Sequence, residues 1–183
     1  MKGCIQILII AASTLLPSYA FGMFELSGTF SFTQSSFGGG SYQWTRRLGT
    51  SLGYYFFSFS EIEVSVQDVL YRTNIAGVQD TTFHDMIYSL DWVQYFFRRN
   101  AAIQPYVKVG AGQLNRESTG TFADGARPPT IYDSLTIVLG FGMRISVFRA
   151  FGLRIEGVSY LTGGVLSSWR DNFAIQGGAS IYF

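Results

Sequence analysis

A single histidine, a single cysteine and a set of charges at alternate positions make up the chemistry this chain has to offer. A serine–histidine hydrolase would have to use His84 as its base. In an extended segment the adjacent Asp85 falls on the opposite face, and Met86, not a serine, shares the face of His84 two residues on. The pair Asp133-Ser134 lies near an external connection and is only a faint sign of acyl-transfer chemistry. His84 is therefore expected to be structural, and the chain is not expected to be an enzyme. Cys4 lies in the leader described below, and the rest of the chain has one histidine and no regularly spaced carboxylate loop, so no metal and no cofactor are expected. Gly38-Gly39-Gly40 lacks the strand-to-helix setting of a phosphate loop and reads as a flexible connection.

The remaining candidates are Glu25, Arg47, Glu61, Glu63, Asp91, Lys108, Arg144, Arg154 and Glu156. Each falls on the polar side of a segment that alternates apolar and polar residues, so they are expected to share one enclosed space as a charge network. Reflection about the connection from Phe97 to Ala102 sets Asp91 nearly opposite Lys108, and a cross-strand ion pair is expected there. The same operation brings Arg144 close to Arg154 and Glu156, with the carboxylate needed between the two cations.

Period-two alternation positions these side chains. Phe24, Leu26, Gly28, Phe30 and Phe32 alternate with Glu25, Ser27, Thr29, Ser31 and Thr33. Similar segments are read at about 42–56, 61–72, 83–96, 103–114, 131–147, 152–162 and 172–183, giving eight strands. Ile87 and Val93 interrupt the pattern of the fourth. Connections alternate in length: Phe57 to Ser60, Phe97 to Ala102 and Phe148 to Phe151 are short, whereas those around Gly38–Gly40, Asn74–Thr82, Asn115–Thr130 and Thr162–Asp171 are longer and more polar. That asymmetry, with strands long enough to cross hydrocarbon, predicts an all-β, eight-stranded antiparallel up-and-down transmembrane barrel. Its charged face would point inward, the reverse of a soluble lipocalin-type barrel. Phe56, Phe57, Phe59, Tyr95, Phe96, Phe97, Phe148, Phe151 and Phe183 gather near the short connections and predict an aromatic girdle.

Composition agrees. The 183 residues suit one domain; 48% are hydrophobic and 14% charged, with 21 glycines against 4 prolines, which argues for strands and turns and against disorder. Residues 1–20 read as a cleavable leader: Lys2, an apolar run from Ile5 to Leu16, then Ser18-Tyr19-Ala20. Residues 21–183 form the barrel domain. The formal charge is +1, and loss of Lys2 leaves the remainder neutral, so no nucleic-acid partner is expected.

Three segments carry a family resemblance. Gln104-Pro105-Tyr106-Val107-Lys108-Val109-Gly110-Ala111-Gly112, Leu153-Arg154-Ile155-Glu156 and Ile181-Tyr182-Phe183 resemble, in order, strands of the small outer-membrane β-barrel family that includes OmpX and the transmembrane domain of OmpA. Gly157-Val158-Ser159 departs from the aromatic and basic residues often found after the Arg and Glu. The resemblance implies a bacterial outer-membrane location, contact with outer-membrane lipids and lipopolysaccharide, and a monomer. It also implies that the barrel-assembly machinery reads the last strand at Ile181, Tyr182 and Phe183. It leaves three roles open: a structural or surface-interaction barrel with a filled lumen, a narrow passive pore for ions or small solutes, and a lipid A-modifying enzyme. Tyr42, Trp44, Arg46, Arg116 and Arg127 are candidates for contact with lipopolysaccharide or a host surface, with ordinary loop solvation and girdle anchoring as the favoured reading.

Overall fold

The computed structural model describes residues 24–98, 101–122, 125, 131–148, 150–164 and 172–183. Alternation of side chains along extended backbone yields eight strands: β1 Phe24–Gly38, β2 Ser41–Phe57, β3 Ser60–Ile75, β4 Gln79–Tyr95, β5 Ile103–Phe122, β6 Ile131–Phe148, β7 Phe151–Thr162 and β8 Phe173–Tyr182. Each pairs antiparallel with its sequence neighbour, and β8 returns to β1, closing the barrel. Closure joins the first strand to the last, the condition for strands to cross hydrocarbon.

The two faces are inverted relative to a soluble barrel. Leu26, Phe30, Val64, Leu90, Trp92, Leu135, Phe141, Ile155 and Ile175 are exposed on the outside, while Glu25, Glu61, Glu63, Asp91, Lys108, Arg144, Arg154 and Glu156 are each at most 6% exposed within. An apolar surface that runs round the whole cylinder fits a lipid environment and has no counterpart on a water-soluble monomer. The described residues contain no helix long and apolar enough to cross a membrane.

Phe24, Phe183 and the short connections lie at one end, here the terminal end; the loop end is opposite. At the loop end the strands run further than their sequence pattern indicates. The β1–β2 connection is Gly39–Gly40, and Gly38, Gly39 and Gly40 take φ of 82°, 59° and 81°. Glycine adopts this left-handed region without the Cβ penalty, so the segment expected to be a flexible loop is a tight turn. The expected loop at Asn74–Thr82 is likewise a hairpin, closed over residues 76–78 and bridged by Arg72 and Asp80. β5 continues to Phe122, through much of the stretch expected to be a loop from Asn115.

Tyr95 also departs from expectation. It is 2% exposed and faces the lumen, whereas Phe56, Phe57, Phe59, Phe96, Phe97, Phe148 and Phe183 are exposed as girdle residues. Its position is of the same parity as Asp91, and parity outweighs proximity to a turn. Ile87 and Val93, which break the alternation of β4, are inward residues of two buried apolar clusters.

Candidate functional site

β6 and β7 place Arg144 directly opposite Arg154. Glu25, on β1, reaches both: its Oε2 is 2.6 Å from Arg144 Nη1 and its Oε1 is 3.5 Å from Arg154 Nη1. Arg154 Nη2 also meets Glu63 at 3.1 Å and Glu156 at 3.5 Å. Lys108 Nζ meets the same two carboxylates, at 2.9 Å and 3.5 Å. The result is a connected set of three cations and three carboxylates in which Glu25, and not Glu156, is the acid shared by the arginines. Taking these charges out of water is costly, and the cost is met only when each has opposite charge and hydrogen bonds close by.

Phenols and amides supply those bonds. The Tyr55 hydroxyl donates to Glu25, Tyr95 to Glu61 at 2.6 Å and Tyr106 to Glu156 at 2.6 Å. The Arg144 guanidinium lies 4.4 Å from the Tyr95 ring centre and 5.0 Å from that of Tyr182, close enough for cation–π attraction. It also donates to the Gln104 side chain, whose amide donates in turn to the carbonyls of Arg98 and Ala101 at the β4–β5 connection. Gln176 donates to Glu156. Sequence reasoning missed Tyr55, Tyr95, Gln104 and Gln176 as functional members; their inward parity was the available signal.

Glu61 and Asp91 stand apart from the paired charges. Neither has a cation within ion-pair distance among the described residues; Glu61 accepts from Tyr95, and Asp91 Oδ2 accepts from Ser65 and Ser89, each at 3.1 Å. The expected Asp91–Lys108 pair does not form. β4 and β5 pair Asp91 with Gly110 and Val93 with Lys108, a register displaced by two residues from a reflection centred on the connection. Lys108 is thereby aimed at Glu63 and Glu156. The second oxygens, Glu61 Oε1 and Asp91 Oδ1, have no hydrogen-bond partner and rest against Gly53 and Gly110, in the space a Cβ would fill.

Toward the loop end the lumen changes character. Val69, Ile87, Leu114, Val138, Val158 and Tyr160 form a buried apolar layer. Beyond it lies an open vestibule of about 560 Å³. Arg47, expected within the network, lies on the vestibule wall with its guanidinium 5.8 Å from the Tyr160 ring centre and no carboxylate within ion-pair distance among the described residues. Arg116, expected outside, also faces the vestibule and forms a two-pronged bond with Asp85, both contacts 2.7 Å.

His84 lies on the outer face, its Nε2 3.5 Å from Asp68, which also meets Arg46 at 3.5 Å. Ser134 donates to the carbonyl of Leu135. Trp44 stacks on Phe32, and Tyr42 lies beneath Arg72. Arg127 lies outside the described residues, and among these no group of acidic, histidine or cysteine side chains could hold a metal. At the terminal end Ile181 faces outward, Tyr182 faces Arg144, and Phe183 stacks on Phe24 at 6.0 Å. Phe24 and Phe183 also exchange backbone hydrogen bonds of 3.0 and 3.1 Å.

This architecture defines the class: the chain has the fold of the small, eight-stranded outer-membrane β-barrels. Among solved structures it is similar to the N-terminal β-barrel domain of OprF from Pseudomonas aeruginosa, with a TM-score of 0.59 and 14% identity over 88% of this chain and 98% of that one. It is also similar to Ail, the attachment invasion locus protein of Yersinia pestis, with a TM-score of 0.51 and 14% identity over 87% of this chain and 96% of that one. No protein-family model matches the chain, and no curated protein matches it.

Proposed function

We propose that the chain is an integral protein of the bacterial outer membrane with a structural or surface-interaction role and a closed lumen. One observation carries the closed lumen: the connected charges from Arg144 to Lys108 are backed, toward the loop end, by the apolar layer from Val69 to Tyr160. Eight strands leave an interior only wide enough for side chains, and here it is filled twice, by different chemistry. A gate would require the buried ions to exchange partners through a low-dielectric interior.

The outward apolar belt is the surface for outer-membrane lipids and lipopolysaccharide, and Ile181, Tyr182 and Phe183 form the strand end offered to the barrel-assembly machinery. The protein acts as a monomer. A lipid A-modifying role is not favoured by His84, whose ring contacts Asp68 on the outer face. The purified chain in planar bilayers is the test: no steady conductance is expected, and a large, steady single-channel current would replace this reading with the passive pore.

A further inference from the structure

The vestibule is lined by different chemistry from different strands, with Asn172 to Ile175 at the start of β8 on the side between the polar and the aromatic walls. Ser31, Thr33, Gln43 and Thr45 supply hydroxyls and an amide from β1 and β2, and Tyr71 and Phe83 supply rings from β3 and β4. Its volume of about 560 Å³ lies within the roughly 300–1,000 Å³ usual for small-molecule sites. Its inner side meets the apolar layer, since Val69 belongs to both, and on the closed-lumen reading the space is a blind cup.

Charge singles out Arg47. Arg116, in the same cup, is neutralised by both oxygens of Asp85. The cations deeper in the lumen each hold a carboxylate. Arg47 has the Tyr160 ring beneath it and feels the charge of Asp85 without forming an ion pair with it, and its guanidinium nitrogens are not among the buried atoms that lack a partner. Its donors therefore open into the cup. A guanidinium held in such an enclosure lacks part of its hydration, and a planar carboxylate would bond it through two parallel contacts.

We infer that this cup binds a small carboxylated sugar, its acid on Arg47, its hydroxyls on the β1–β2 wall and a ring face against Tyr71. Hydroxyl and amide groups facing an aromatic ring suit a polyhydroxylated ring better than a purely apolar acid. The inference goes beyond the closed-lumen reading, because a blind cup holds a ligand without passing it through the barrel.

The test is titration of the isotope-labelled full chain in detergent micelles with glucuronate, glucose and acetate, following backbone amide signals. Glucuronate is expected to shift the signals from Ser31 to Arg47 saturably and to bind at least about tenfold more tightly than glucose or acetate. Arg47→Gln is expected to erase that margin, while Arg47→Lys keeps part of it. Heat-modifiable gel migration checks that each variant is folded; if Arg47→Gln does not fold, the wild-type ranking of the three probes decides. Equal affinity for the three probes, no saturable shift, or an unchanged margin in folded Arg47→Gln overturns the inference.

Discussion

Arg144 and Arg154 sit directly opposite one another across β6 and β7, and the carboxylate that reconciles them comes from neither strand but from Glu25 on β1. Like charges paired across strands repel. The third strand offsets the repulsion, and among the described residues Glu25 is the one carboxylate within ion-pair distance of Arg144.

Glu25→Gln is accordingly expected to destabilise the barrel by about 3–5 kcal/mol, because two buried guanidinium groups lose their shared counter-charge. The urea midpoint of the purified protein in micelles measures this. The double variant Glu25→Gln with Arg144→Gln should lose less than the two single losses added together.

Tyr95→Phe removes one oxygen and little volume. It takes from Glu61 the phenol that donates to it at 2.6 Å, while the other carboxyl oxygen already lacks a partner. A loss of about 1–3 kcal/mol is expected by the same measurement, and an unchanged midpoint would count against the hydroxyl's role.

Gly110→Ala and Gly53→Ala should differ. A Cβ at Gly110 meets the Leu90 carbonyl oxygen at 2.6 Å and the Asp91 Cα at 2.8 Å, both backbone, whereas at Gly53 the atoms in the way belong to the Glu61 side chain. A side chain can move aside more readily than a paired strand. Gly110→Ala is expected to cost about 1–3 kcal/mol and Gly53→Ala less; the reverse order of urea midpoints would refute the placement of the two carboxyls.

At the loop end, the Arg72 hydrogen bond and charge hold the Asp80 carboxyl below its usual value of 3.8. A carboxyl whose folded value is depressed contributes stability above its unfolded value and loses it as pH falls through the folded one. Both groups are exposed, so the contribution is small and screened by salt. In a nuclear magnetic resonance titration, Arg72→Gln should move the Asp80 midpoint up toward the ordinary value.

His84→Ala is expected to change stability by no more than about 1 kcal/mol, as for an exposed polar contact. The lipid A mass spectrum of cells expressing the variant should match that of cells expressing the parent chain. A His84-dependent mass shift would restore the enzyme reading.

The strand count and the direction each residue faces were legible because lipid outside and charge inside make alternation strict. The same rule would have placed Tyr95 and Tyr55 inside, had parity been followed to the strand ends. Register was less legible: β4 and β5 pair two residues away from a simple reflection, and that offset directs Lys108 to two other acids in place of Asp91. The partition of the lumen was hidden for a different reason. Arg47 and Arg144 look alike along the sequence, and only the axial stagger of eight strands puts one in a cup and the other in the ionic core.

The seam between β1 and β8 runs from Glu25↔Tyr182 only as far as Phe30↔Gly177, a shorter ladder than β1 makes with β2. Few backbone bonds thus hold the one junction that requires the whole chain. Yet Glu25, beside that seam, is the acid that Arg144 and Arg154 need. Rolling the sheet into a cylinder therefore also delivers to Arg144 its counter-charge, so that the closing seam and the ionic core are joined through one side chain.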